Sequence, residues 1–157
     1  MEKARSNGLT ALCILSWVWM VIAIWNSFTE LNTGRLTEAD IRAQKIILIE
    51  SQTPEAIEAA PWMIEDSVTM LNISSENFTA MVVINFVALI IGLIGVFMMF
   101  QLRKLGFHLY IIYSLISVGY WVYYFHGLTF GTILITISVV FSMLFVILYG
   151  TQLKKMS

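Results

Sequence analysis

The sequence predicts an all-α membrane protein, an antiparallel bundle of four transmembrane helices with short amphipathic helices in the first outer loop. Three observations carry this. The chain is 59% hydrophobic and only 12% charged, with a mean hydropathy of +0.82, whereas a soluble domain is nearer half apolar and a quarter charged. The run Ala80–Phe100 has no charge and one strongly polar side chain, Asn85; at ~1.5 Å per residue it reaches roughly 30 Å, the thickness of bilayer hydrocarbon. Charge is also segregated. Nine of the ten acids lie between Glu30 and Glu76, while six of the nine bases are Lys3, Arg5, Arg103, Lys104, Lys154 and Lys155.

The 157 residues form a single integral domain, 1–157, with spans at 8–28, 79–101, 105–125 and 128–150 and an outer loop at 29–78. Gly8–Phe28 follows a short basic leader. It is longer than a signal core, carries Trp17, Trp19 and Trp25, and lacks an A-x-A cleavage site, so it reads as an uncleaved span. In the loop, Thr37-Glu38-Ala39-Asp40 has capping-box spacing and leads a helix over 41–52. Thr53-Pro54-Glu55 repeats the start signal with proline at the first helical position. Pro61 restarts the chain into Trp62–Leu71. The run Ile46–Ile49 also suits a strand, but capping signals precede it and no partner strand is evident. Ser74 or Ser75 is expected to cap the second span. With Trp62, Met63, Met70 and Leu71 available, the loop helices are expected to lie on the membrane surface or to cover the bundle. The third span ends in Tyr120, Trp121, Tyr123, Tyr124 and Phe125, an interfacial aromatic belt. The His126-Gly127 break is short enough to make spans three and four antiparallel neighbours.

Four spans place all three basic clusters on one side and the acidic loop on the other. Basic residues beside spans are retained in the cytoplasm, so both termini are expected there.

The chemistry open to the chain is narrow. No Asp, Glu, Lys or Arg falls within the four spans, which removes the usual material of proton relays and ion-coupled transport. Cys13 is the one cysteine, excluding an internal disulfide and a multi-thiolate metal site. His108 and His126 are separated by roughly 27 Å along a helix and cannot share a haem or a metal ion within one copy. No Ser, His and acid meet at one depth. No catalytic residue, cofactor or metal is assigned on these grounds, and nothing points to nucleic acid.

What remains are contacts. Asn85 should face the bundle and find a partner, with Ser114, Ser117 and Ser138 as further polar positions. Ala88, Gly92 and Gly95 put small surfaces near one face of the second span, and Ser138 and Ser142 do so on the fourth. Such spacing serves packing within the bundle, self-association or another membrane protein. In the loop, Glu55 and Glu58 share a helical face, Glu65 and Asp66 could join a divalent-cation site, and Trp62 adds an aromatic contact. Asn72-Ile-Ser74 and Asn77-Phe-Thr79 match glycosylation acceptors.

The layout of cytoplasmic termini, four spans and a large first outer loop is similar to that of claudin-like tetraspan proteins. Those carry a Trp and paired cysteines in that loop; this one has Trp62 and no cysteine, so barrier and channel function are not carried over. The turn Leu102-Arg103-Lys104-Leu105-Gly106-Phe107, running into His108-Leu109-Tyr110, resembles turns of small uncharacterised four-span proteins of bacterial cytoplasmic membranes. That resemblance implies a location and no activity. The reading is a non-enzymatic accessory or assembly subunit acting through helix packing and the acidic loop. The alternative is a transporter or channel for a neutral or lipidic molecule, with Asn85, Ser114, Ser117 and Ser138 converging on one cavity. A third idea is an enzyme acting on lipid or quinone at the outer surface with loop carboxylates and His126.

Overall fold

A computed structural model describes residues 7–153; the basic positions Lys3, Arg5, Lys154 and Lys155 lie outside them. Among the described residues there are seven α-helices and no strand: α1 (Asn7–Thr33), α2 (Glu38–Glu50), α3 (Pro54–Ala59), α4 (Pro61–Glu76), α5 (Phe78–Phe100), α6 (Leu105–Phe125) and α7 (Thr129–Gln152). Helices α1, α5, α6 and α7 are long and apolar enough to cross a membrane. Of these, α5, α6 and α7 contain no Asp, Glu, Lys or Arg, and α1 has only Glu30, in its last turn.

The four long helices run up and down in the lateral order α1, α5, α6, α7. The α5–α6 pair is the most extensive contact, followed by α1–α5 and α6–α7, while α1 and α7 barely meet. One end of the bundle bears the α5–α6 turn and both ends of the described chain; it is called here the terminal end. The other bears α2–α4 and is called the loop end. Helix α1 presents a narrow seam of Leu9, Cys13, Ser16, Met20 and Ser27, all buried. Its steps of four, three, four and seven residues are those of a coiled-coil interface. Leu12, Ala23 and Ile24 flank the seam half-buried, and the opposite side of α1 faces outward, with Trp25 71% exposed.

Small residues set the closest approach. A Cβ on Gly106 of α6 would strike the Gly95 carbonyl of α5 and come within 2.5 Å of the Met99 amide. The two backbones therefore touch at Gly95 and Gly106, which only glycine permits. The turn before this crossing is closed by Arg103 N–H to Met98 O (2.9 Å) and Leu102 N–H to Met99 O (2.9 Å). That is the Schellman pattern, with Leu102 rather than glycine at φ 64°. A left-handed leucine costs about 1–2 kcal/mol, offset here because Leu102 packs on the core around Met99 and Tyr149.

In the loop, Thr37 and Asp40 form the capping box in full. The Thr37 amide donates to Asp40 Oδ2 (2.8 Å) and the Asp40 amide to Thr37 Oγ1 (3.3 Å). The Thr37 hydroxyl also donates to Asp40 (2.6 Å). Ile46–Ile49 is helical, as expected where a cap nucleates the run and no strand edge is offered. Hydrogen bonds from Thr37 hold the Asp40 carboxyl below its ordinary value of 3.8. A depressed pKa stabilises the fold above the unfolded value and loses that contribution as pH falls through the folded one. The protection of amides 38–41 against exchange, taken relative to their intrinsic rates, is therefore expected to fall on acidification below the ordinary carboxylate range, and not above it.

One capping expectation is corrected. Neither Ser74 nor Ser75 caps α5: α4 continues to Glu76, and Asn77 alone separates it from α5. Ser75 is instead buried, donating to Leu36 O (2.7 Å) and accepting from Arg35 Nε (3.3 Å). Because the α1–α2 turn needs that serine, the helix has no cause to break there.

Candidate functional site

Two buried polar contacts tie α1 to the rest of the bundle, one in each half. Toward the loop end, Asn85 Nδ2 donates to Ser27 Oγ at 2.7 Å, and Ser27 is buried. Asn85 lies about two turns into α5 from the loop end, and Ser27 about two turns back from the end of α1, so the pair meets at one depth. Inside a bilayer such a bond is worth on average about 0.6 kcal/mol and at most about 1.7. Asn85→Leu and Ser27→Ala are each expected to cost that much, and the double variant little more than one of them. A double-mutant cycle of unfolding in detergent reads this coupling directly.

Toward the terminal end, the Tyr149 hydroxyl of α7 donates to Ser16 Oγ at 2.9 Å. Tyr149 is 0% exposed and Ser16 3%. Its ring packs edge-on against Tyr110, 4.9 Å between centroids, and Tyr110 in turn lies 5.7 Å from Tyr113. Cys13 lies in the same cluster, one turn from Ser16 on the α1 seam. Helix α7 thus reaches α1 at one end, through the Tyr149 side chain and with Gln152 beside Gly8.

The other end of α7 is held by the loop. Asp66 of α4 accepts a hydrogen bond from the Phe130 amide (2.8 Å), one of the amides that a helix start leaves without an internal partner. Glu65 and Asp66, which the sequence offered together as possible cation ligands, point in different directions here. Neighbouring residues on a helix diverge by about 100°, so Glu65 is exposed while Asp66 turns onto α7. Among the described residues no group of three His, Cys, Asp or Glu comes together. Asp66→Ala is expected to speed amide exchange at 129–132, at a cost of ~1 kcal/mol. Asp66→Asn retains the acceptor and should be nearly silent, which a charge-dependent cation site would not allow.

The remaining sequence-derived positions do not form one site. Ala88, Gly92 and Gly95 are buried, with Gly92 against Met20 of α1 and Tyr113 of α6. Ser114 is buried on α6 and Ser117 half-buried one turn on. Ser138 donates to its own helix at Leu134 O (2.8 Å), and Ser142 is half-buried on α7. Asn85 spends its amide on α1 rather than converging with Ser138. Glu55 and Glu58 are exposed on α3, and Trp62 is half-buried on α4. His108 and His126 are exposed, each with Nδ1 near the carbonyl four residues before, at 3.2 and 3.0 Å. Two open hollows lie between α2 and α4.

Sequence reasoning passed over Ser27, Tyr149 and Gly106. Ser27 and Ser16 were detectable as polar steps on the Leu9–Cys13–Met20 seam. Four membrane-length apolar helices joined in this way define the class, a multi-pass helical membrane protein. No family model, curated protein or solved structure matches the chain.

Proposed function

We propose that this protein is a non-enzymatic accessory or assembly subunit of a bacterial cytoplasmic membrane, with both termini in the cytoplasm and the acidic loop outside. The observation that carries the reading is the state of α7. It packs along α6, is fastened at its ends by Tyr149 and Asp66, and leaves a long apolar face open, with Ile147 65% exposed. A helix so thinly covered by its own chain is suited to lateral packing against another membrane protein. Arg103 and Lys104 beside the α5–α6 turn, with the basic termini, support the orientation. The transport alternative has less to rest on, since Asn85 is paired with Ser27 of α1 and Ser138 with its own helix α7, rather than both facing one cavity. An enzyme at the outer surface would need His126 beside loop carboxylates, and Asp66 is engaged with α7 instead.

The test is purification of the tagged protein in mild detergent, followed by native mass spectrometry. A membrane protein retained in fixed stoichiometry is the expected result. A monomer with one small molecule specifically bound would contradict the subunit reading in favour of transport.

A further inference from the structure

Positive charge at the terminal end of the bundle has no acidic counterpart among the described residues. Every described Asp and Glu lies between Glu30 and Glu76, at the loop end, whereas Arg103 and Lys104 stand in the α5–α6 turn, both exposed. The one ion pair among those residues, Arg42 with Glu38, is also in the loop. The turn holds the two bases in place. Leu102 packs on the core, the Arg103 amide donates to Met98 O (2.9 Å), and the Phe107 amide donates to Lys104 O (3.0 Å). Lys104 already has helical backbone angles and heads the exposed face of α6.

That face runs the length of the span. Lys104, His108, Ile112, Leu115, Gly119 and Val122 follow one another at steps of three or four residues and are all exposed. They fall within about 80° of the helix wheel. The buried residues Gly106, Tyr110, Ser114 and Phe125 occupy the other side. Leu115 is 68% exposed, and a Cβ on Gly119 would meet nothing within 4 Å, so no described helix covers the strip. Its chemistry changes once. The first turn is polar, with His108 turning Nδ1 back to Lys104 O (3.2 Å), and from Ile112 to Val122 the strip is apolar. Lys104 to Leu115 is roughly 16 Å of helix, about half the ~30 Å thickness of bilayer hydrocarbon. The bases therefore stand at headgroup depth, and Ile112 and Leu115 lie at the depth of the chains below.

A phospholipid has the same division, a phosphate at the surface and chains beneath it. A lysine at the end of a span lays its stem along apolar surface and puts its ammonium among the headgroups. Anionic headgroups attract each such base, and the attraction fades within a Debye length. A zwitterionic lipid carries its own cation beside the phosphate, which offsets that attraction. We infer that Arg103 and Lys104 bind the phosphate of one anionic phospholipid, whose acyl chain lies along the Ile112–Leu115 part of the α6 strip. The leaflet is the one adjoining the terminal end, on whichever side of the membrane that end stands. The site is on α6 and not on the open face of α7, so it stands or falls apart from the partner reading.

The test titrates the purified full chain in mild detergent with phosphatidylglycerol or phosphatidylcholine of identical chains, and counts bound lipid by native mass spectrometry. The expected result is one phosphatidylglycerol held severalfold more tightly than phosphatidylcholine. Its affinity should fall roughly tenfold when Arg103→Gln and Lys104→Gln are combined. Both side chains are exposed, so the helices remain, which circular dichroism checks. Lys154→Gln with Lys155→Gln removes the same charge from the chain and should leave the lipid bound. Glycerophosphoglycerol, the same headgroup without chains, should not compete at equal concentration. Equal retention of the two lipids, or unchanged affinity without Arg103 and Lys104, would overturn the inference. Equal loss from the two double variants would reduce the site to diffuse charge, and competition by the chainless headgroup would reduce it to an anion site; either overturns it too.

Discussion

Gly106→Leu is expected to separate α5 from α6 and to leave too little folded protein for purification. The milder Gly106→Ala should lose ~1–3 kcal/mol, the usual range for overpacking a filled interior. The reason is the identity of the neighbours. An added Cβ meets the Gly95 carbonyl and the Met99 amide, at 2.5 Å from the latter, and Met98 Cβ at 2.9 Å. Side-chain ends can swing away, but backbone atoms of a helix move only with the helix. Displacing α5 would also disturb Gly92, which already sits against Met20 and Tyr113. Gly119 supplies the control, because a Cβ there meets nothing within 4 Å. Gly119→Ala should be neutral or stabilising by up to ~1 kcal/mol, through relief of glycine's backbone entropy. Reversible unfolding in mixed micelles would separate the two, and equal costs at 106 and 119 would contradict the crossing described here.

Truncation of Tyr149 should have the next largest effect. Tyr149→Ala removes a fully buried ring and the α7 hydroxyl that reaches α1, and is expected to cost about 3 kcal/mol, near the low end for aromatic truncation in a core. The low end applies because lipid, unlike water, gives exposed apolar surface little reason to return to the interior. Tyr149→Phe keeps the edge contact with Tyr110 and loses the hydroxyl's bonds to Ser16 and Cys13; the Ser16 hydroxyl can turn to a carbonyl of its own helix. Its cost should be ~0.6 kcal/mol and at most about 1.7. Thermal unfolding in detergent, read separately at a label on α7 and one on α5, should show the α7 probe melting first in Tyr149→Ala. Simultaneous melting with unchanged midpoint would show that Tyr149 does not fasten α7.

The helices were legible because the signals for them are local. Uncharged runs, the Thr37–Asp40 box, Pro54 and Pro61 act within a few residues, and α6 ends at Phe125 where the aromatic belt stops. The α4–α5 boundary was not, since two serines before an apolar run read as a cap only if their hydroxyls are free, and Ser75 is held by Leu36 and Arg35. Which polar groups meet is a question of tertiary register. The apolar setting of Asn85 demands a partner, yet nothing local points to Ser27, distant in sequence and on another helix. Gly106 sits inside a turn that drew notice for its charge, so its packing role was masked. Asp66 looked like half of a carboxylate pair, and only the start of α7 explains why it points away from Glu65.

The proposed topology has four crossings, with the α5–α6 turn in the cytoplasm and the α2–α4 loop outside. Labelling of intact cells by a membrane-impermeant maleimide tests this directly, using Ser51→Cys in the loop and Gln101→Cys in the turn, both exposed positions. Buried Cys13 contributes no signal. The account predicts that Ser51→Cys reacts in intact cells and Gln101→Cys only after the membrane is broken. Reaction of Gln101→Cys in intact cells, or of both positions only after lysis, would contradict it.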